Sequence, residues 1–344
     1  MFSGHRLERV LASSRYRDGK FHNTTPVRPG LKGNPLPILA DFAFGGRKRR
    51  PPVVLPVESP LELWQRPIDS GLRLTWLGHS TVLIEIDGHR LLTDPVFAER
   101  VSPVSFAGAK RFHPTPVKLG QLPKLDAILL SHDHYDHLCR ESIMELAKLD
   151  VPVVTALGVG ARLEKMGVRT IHELDWWEDV RIRGLHFTAT PAQHFSGRSL
   201  GDRNDTFWAS WVIASDNHRV FFSGDTGLTD EFVETAKRFG PFDITMLEIG
   251  AWNAAWGDIH LGPEGALKAF ELLGGGTLFP VHWGTFDLGL HPWDSPGEEL
   301  LSLARGQRIL TPPLGRPFEP TQVEGPTPWW RRVLEAGLAA EPAR

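Results

Sequence analysis

Between Ala127 and Leu138 an apolar run ends abruptly in a dense polar turn. It reads Ala127-Ile128-Leu129-Leu130-Ser131-His132-Asp133-His134-Tyr135-Asp136-His137-Leu138. The segment Ala127–Leu130 is short, branched-rich and preceded by Leu122-Pro123, the pattern of a buried strand. The turn that follows carries His132, His134, Asp136 and His137, four side chains able to hold a metal ion. Imidazole and carboxylate at this density suit zinc or a similar borderline cation, because calcium and magnesium take oxygen almost exclusively. If the segment stays extended, His132 and His134 point the same way and Asp136 and His137 face elsewhere. A merely decorative turn would set ionisable groups beside a buried strand with nothing to satisfy them, which is costly.

Three later positions repeat the setting. His194 follows Leu185-His186-Phe187-Thr188-Ala189-Thr190-Pro191, Asp225 follows Val220-Phe221-Phe222-Ser223-Gly224, and His282 follows Thr277-Leu278-Phe279-Pro280-Val281. Each is a ligand-type residue just past an apolar strand. Seven such residues from four strand ends suit two metal ions and exceed what one requires.

Strands are expected at 72–77, 82–86, 90–93, 151–156, 185–190, 207–214, 219–223, 244–249 and 277–282. Asp87-Gly88 is a hairpin turn between the second and third. Helices are expected at 6–14, 140–149, 159–166, 230–239 (Thr229 as N-cap) and 263–273, with Pro263 in the first turn and Gly274-Gly275-Gly276 as a stop. Strands predominate with helices interspersed, so two sheets packed face to face with helices outside are predicted. Residues 1–65, rich in Pro, Gly and Arg, read as an arm packed on the domain, and 66–344 as one domain. The long connection 96–124 is of a length that is more often functional than idle.

Composition excludes several classes. With 344 residues, 41% hydrophobic and 23% charged, the chain can bury a sizeable core. A formal net charge of −3 gives no basis for nucleic acid as a partner. The single cysteine, Cys139, excludes an internal disulfide and suits a cytoplasmic, reducing compartment. The first residues lack the apolar core of a secretory signal, and no run approaches the ~18 apolar residues of a membrane span. Arg47-Lys48-Arg49-Arg50 is a basic cluster, read as a solvated face or as a peripheral contact with an anionic membrane.

The series His132-x-His134-x-Asp136-His137, then His194, Asp225 and His282, resembles the ligand set of the metallo-β-lactamase superfamily. Further stretches resemble its N-acylphosphatidylethanolamine-hydrolysing phospholipase D branch. They include Trp76-Leu77-Gly78-His79-Ser80-Thr81, Leu92-Thr93-Asp94-Pro95-Val96-Phe97, Glu173-Leu174-Asp175-Trp176-Trp177-Glu178, Phe222-Ser223-Gly224-Asp225-Thr226-Gly227 and His282-Trp283-Gly284-Thr285-Phe286. The resemblance implies an α/β fold, a four-layer αβ/βα sandwich with two divalent ions, expected to be zinc, at one edge. His132, His134 and His194 would hold the first ion, and Asp136, His137 and His282 the second, with Asp225 bridging. The reaction it implies is hydrolysis of a phospholipid or other small phosphodiester, a hydroxide shared by the ions attacking phosphorus and releasing phosphatidate and N-acylethanolamine. A lactonase or other ester hydrolase, and a non-catalytic metal scaffold, are the competing readings.

His260, beside Leu261-Gly262-Pro263 at a helix start, is the candidate for assisting the leaving alkoxide. Asp94 is expected to accept a ring N–H from a ligand histidine, and His79 is balanced between that role and a structural one. Asp133 departs from the branch, whose animal enzyme has a neutral amide between the two ligand histidines, so an extra carboxylate is expected to alter the charge near the site. Trp176, Trp177, Trp208, Trp211, Trp252 and Trp256 are expected in the core sooner than along an acyl groove.

Overall fold

Apolar strands such as Leu72–Gly78, Thr81–Ile86, Ala127–Leu130 and Thr277–Val281 are buried along their whole length. A strand buried on both faces must be covered by a second layer on each side. The computed structural model supplies those layers. It describes residues 2–27, 46–104, 106–253 and 257–340, with backbone alone at 47 and 336–340.

In chain order the strands are β1 (Tyr16–Arg17), β2 (Lys20–Phe21), β3 (Leu72–Gly78), β4 (Thr81–Ile86), β5 (His89–Thr93), β6 (Arg100–Val101), β7 (Ala109–Lys110), β8 (Ala127–Leu130) and β9 (Val153–Ala156). There follow β10 (Ile171–Leu174), β11 (Asp179–Ile182), β12 (Leu185–Thr190), β13 (Ser210–Ala214), β14 (Arg219–Phe222), β15 (Ile244–Glu248), β16 (Thr277–Val281), β17 (Arg308–Ile309) and β18 (Pro317–Phe318). Two seven-stranded mixed sheets result, in the orders β10-β9-β8-β5-β4-β3-β18 and β11-β12-β13-β14-β15-β16-β17. β1-β2 and β6-β7 are separate small hairpins.

Asp87 and Gly88 both have positive φ (46° and 82°), the backbone a tight hairpin between β4 and β5 requires. From β8 to β10 the strands are parallel, and the helices Arg140–Ala147 and Gly160–Lys165 make the crossovers. From β14 to β17 they are parallel again, with crossovers through Glu231–Phe239, Gly262–Leu272 and Ser295–Leu303. Right-handed crossovers place helices on the outer face of each sheet, leaving the inner faces to pack on one another. One apolar core joins them, from Leu74 and Ile84 in the first sheet to Phe187, Phe221 and Phe279 in the second. The arrangement is the expected four-layer αβ/βα sandwich.

The helix Glu231–Phe239 begins one residue later than predicted, with Asp230 and not Thr229 at the N-cap, although the Thr229 hydroxyl accepts the Glu231 N–H at 3.3 Å. Glu231 and Glu234 in its first turn and Lys237 and Arg238 in its last complement the helix dipole. Gly274, Gly275 and Gly276 all adopt positive φ after Gly262–Leu272, and a Cβ on Gly276 would meet the Phe242 carbonyl at 2.6 Å.

Val10, Phe21 and Leu55 are buried in the same core, and Arg6 pairs with Glu164 and Glu173. Arg73, buried beside Glu85 at 2.5 Å, donates to the carbonyls of Leu63 and Arg66 and fastens that segment to the first sheet. No helix among the described residues is long and apolar enough to cross a membrane.

Candidate metal centre

Strands β3, β5 and β8 run in one direction, and so do β12, β14, β15 and β16. Their C-terminal ends therefore open along common edges, where α/β folds place their sites. The residues that follow meet there: His79 after β3, Asp94 after β5, residues 131–137 after β8, His194 after β12, Asp225 after β14 and His282 after β16. Three of them, His79, Asp94 and His282, hold positive φ without being glycine. Such strain persists only where surrounding structure imposes it, and it concentrates at functional sites.

All seven side chains singled out from the sequence come together. One group is His132, His134, His194 and Asp225; another is Asp136, His137 and His282, joined by His79. In the first, His134 Nδ1 lies 2.8 Å from His132 Nε2 and 3.3 Å from His194 Nε2. In the second, His282 Nε2 lies 3.1 Å from His137 Nε2 and 3.3 Å from Asp136 Oδ2. Asp225 stands between the groups. Its Oδ2 is 3.1 Å from His137, 3.7 Å from His194 and 3.9 Å from His132, while Oδ1 is 3.2 Å from His282.

The outer ring nitrogens are spoken for. His137 Nδ1 donates to Asp94 Oδ2 at 2.6 Å, and His194 Nδ1 to the Ile259 carbonyl at 2.8 Å. His132 Nδ1 faces the Ser131 hydroxyl at 2.9 Å, which itself donates to Asp94 at 2.6 Å. These contacts leave Nε2 of all three rings turned inward, as metal-binding histidines require. An Asp94→Asn variant is therefore expected to bind zinc about 10- to 100-fold more weakly, measured by competition with a chromophoric chelator. Wild-type affinity would show that the contact does not orient His137.

The electrostatics follow from burial. Burial opposes the charged form of Asp225, yet the neighbouring His137 and His282 hold its carboxyl well below the usual range. The same opposition leaves Asp136 well below its ordinary value, with His137 the main charge partner. His132 and His194 are pushed well down by burial, so both are neutral and able to donate a lone pair. Burial, then the charge of His282, pushes His79 down to about 3.

Whether the donors fit a divalent cation is answered by what they lack. Asp225 Oδ1 makes no hydrogen bond despite its nearness to His282, and Nδ1 of His282 and of His79 are buried without a partner. Imidazole nitrogens facing one another with carboxylate oxygens between them are complementary to a borderline cation, and the donor set fits two.

His260 also lies here. Its ring is 5.1 Å from His194 and 5.5 Å from His282, and its Nδ1 donates to Glu248 Oε2 at 2.8 Å. It borders an open cleft of about 690 Å³ shared with Thr24, Gln193, Leu228 and Asp258. Glu248 escaped the sequence reading, although β15 ends in it just as the other apolar strands end in a polar side chain. His79 was underweighted: Nε2 is 3.0 Å from Asp136 and its ring 3.9 Å from that of His282.

Asp133 does not add a free charge to the centre. Its carboxylate is buried against Arg162 and accepts the Gly197 N–H at 2.8 Å, tying the ligand turn to the loop after His194. Of the basic cluster, Arg49 and Arg50 both pair with Asp287, at 3.0 and 3.3 Å, and the side chain of Arg47 lies outside the described residues. Trp176, Trp208 and Trp211 are core residues; Trp177 lies under Arg238, Trp252 faces His291, and Trp256 is outside the described residues.

Comparison with known proteins agrees with this geometry. Residues 89–283 match the family described as the Beta-lactamase superfamily domain. An uncharacterised protein of Mycobacterium tuberculosis is 44% identical over 329 residues, covering 93% of this chain and 88% of that one. The N-acyl-phosphatidylethanolamine-hydrolyzing phospholipase D 1 of Caenorhabditis elegans is 37% identical over 235 residues, 64% of this chain and 66% of its own length. Among solved structures, the isothiocyanate hydrolase from Delia radicum gut bacteria superposes with a TM-score of 0.61 at 25% identity, over 72% of this chain and 98% of that one. On sequence, fold and clustered donors alike, this chain belongs to the beta-lactamase superfamily, as a metal-dependent hydrolase of the metallo-β-lactamase fold.

Proposed function

We propose that the centre hydrolyses a phosphodiester, and that its substrate is an N-acylphosphatidylethanolamine cleaved in the phospholipase D sense to phosphatidate and an N-acylethanolamine. The observation that carries the reading is the placement of Asp225 between two complete donor groups. Its lipid specificity is supported by the likeness to the C. elegans enzyme, of whose length this chain spans about two thirds.

His132, His134 and His194 would hold one ion and Asp136, His137 and His282 the other, with Asp225 placed within reach of both groups. Zinc fits these donors. A pair of divalent ions supplies water of lowered pKa and neutralises charge on a phosphodiester. The chain does the rest. Ser131, Asp94 and the Ile259 carbonyl fix the inward nitrogens. His260, anchored through Nδ1–H to Glu248, would donate the proton on its other ring nitrogen to the leaving oxygen from the wall of the cleft. Arg100 and Arg140, with exposed Val104 and Phe106, surround a second cleft of about 520 Å³ and suit contact with an anionic lipid surface.

The test is turnover by the zinc-loaded protein of N-acylphosphatidylethanolamine in mixed micelles, beside bis(p-nitrophenyl) phosphate and a lactone panel. Release of N-acylethanolamine is expected. Cleavage of the soluble phosphodiester alone would keep the chemistry and discard the lipid; cleavage of lactones alone would overturn both.

A further inference from the structure

Glu248 ends β15 with its side chain fully buried, and a buried carboxylate is costly unless its lone pairs are used. Its two oxygens divide the work. Oε1 accepts the backbone N–H of Thr226 at 2.9 Å and of Leu261 at 3.2 Å. Oε2 accepts Nδ1–H of His260 at 2.8 Å and lies 3.8 Å from Nδ1 of His282. That second nitrogen is buried and has no hydrogen-bond partner. The two rings are stacked, their centroids 5.5 Å apart and their planes 26° apart.

We propose that Glu248 is a positioning residue that sets which nitrogen each of these histidines presents to the centre. With Nδ1–H of His260 bonded to Oε2 and Nδ1 of His282 3.8 Å from the same oxygen, Nε2 of His282 is left for the ion and Nε2 of His260 for the substrate. The backbone bonds to Oε1 make this a fixed orientation, since the carboxylate cannot rotate without losing them. With Oε1 committed to two N–H groups and Oε2 to His260, Glu248 positions one metal donor, His282, and one substrate-facing ring, His260. Only the kinetic part of the proposal rests on the phosphodiesterase reading; the ring orientations do not.

Glu248→Gln is the discriminating change. The Thr226 and Leu261 N–H groups keep the amide carbonyl oxygen in the Oε1 position, so the NH₂ group faces the histidines. A donor then replaces an acceptor. His260 is expected to invert, accepting at Nδ1 and carrying its proton on Nε2, which long-range ¹⁵N–¹H spectra of the ¹⁵N-histidine-labelled, zinc-loaded protein report directly. Zinc affinity is expected to fall at least about 10-fold, and kcat on bis(p-nitrophenyl) phosphate about 100-fold with KM little changed.

A Gln variant with the wild-type His260 tautomer and zinc affinity would overturn the proposal. Should that variant not fold, the wild-type spectrum decides alone: Nδ1–H on both His260 and His282 is required, and an unprotonated Nδ1 on either ring refutes it. If the wild-type protein cleaves no phosphodiester, the functional reading fails, while tautomer and zinc affinity still settle the role of Glu248.

Discussion

An Asp225→Asn protein is expected to lose hydrolysis by at least about 10³-fold and to retain less than its full complement of zinc. The reason is positional. Among the described residues Asp225 is the one side chain whose two oxygens face both donor groups, Oδ2 toward His132, His137 and His194 and Oδ1 toward His282. An amide keeps the shape and burial but exchanges one anionic oxygen for an NH₂ donor. That donor opposes whichever cation it faces. Because Asp225 is held well below the usual carboxylate range against the pressure of burial, it is ionised at neutral pH, and the substitution removes a full charge. Zinc content by atomic emission, together with kcat/KM, measures both consequences. A variant that keeps full zinc content and turnover would remove Asp225 from the centre.

Removing the metal is expected to cost the fold about as much as it costs the chemistry. At a thousandfold excess over Kd, one bound ion adds about 4 kcal/mol, and a chain of this size shifts by roughly 2 °C per kcal/mol. Stripping both ions should therefore lower Tm by about 10 °C or more, read by calorimetry with and without a chelator. The gap should also depend on pH. Without ions, burial pushes His282 down, but Asp225 and Asp136 prevail and raise it to about 10; His137 is likewise raised well above its ordinary value.

A histidine raised in the folded state stabilises the metal-free protein below its unfolded value near 6.5, and that contribution fades as pH climbs toward 10. Metal binding displaces those protons and strengthens with pH. The Tm difference between loaded and stripped protein is thus expected to widen from pH 6.5 to pH 9. A difference that narrows over that range would contradict the assignment of His137 and His282.

The parts of the fold legible in the sequence were those where burial writes a pattern. β3, β4, β8, β12 and β16 are apolar because both of their faces are covered, and the polar residue beyond each marks where the covering stops. The strands that escaped are the sheet edges and the two small hairpins: β10 and β11 are only partly buried, and β17, β18, β1, β2, β6 and β7 are two residues each. Their pairing is imposed by the sheet and not by local preference. The helices Ser295–Leu303 and Trp330–Ala340 also passed unnoticed. They are joined by tertiary contacts, Trp330 and Arg331 both donating to Glu298.

The site divides in the same way. His132, His134, Asp136, His137, His194, Asp225 and His282 could be read because each follows a strand or sits in one dense turn. Glu248 closes a strand too, but it lacks a neighbouring histidine in sequence, and only folding brings His260 to it. Asp133 illustrates the opposite limit. Its neighbours in sequence suggested an extra charge near the metals, whereas its partner Arg162 is contributed by a helix 29 residues away. Sequence spacing shows which residue types are available; the partner that neutralises each is a property of the fold.

The most direct test of the dinuclear centre is a crystal structure of the zinc-loaded protein with anomalous data collected at the zinc edge. Two peaks are predicted, one among His132, His134, His194 and Asp225, the other among Asp136, His137, His282 and Asp225. A single peak, or a pair with Asp225 outside coordination range of both, would contradict the account.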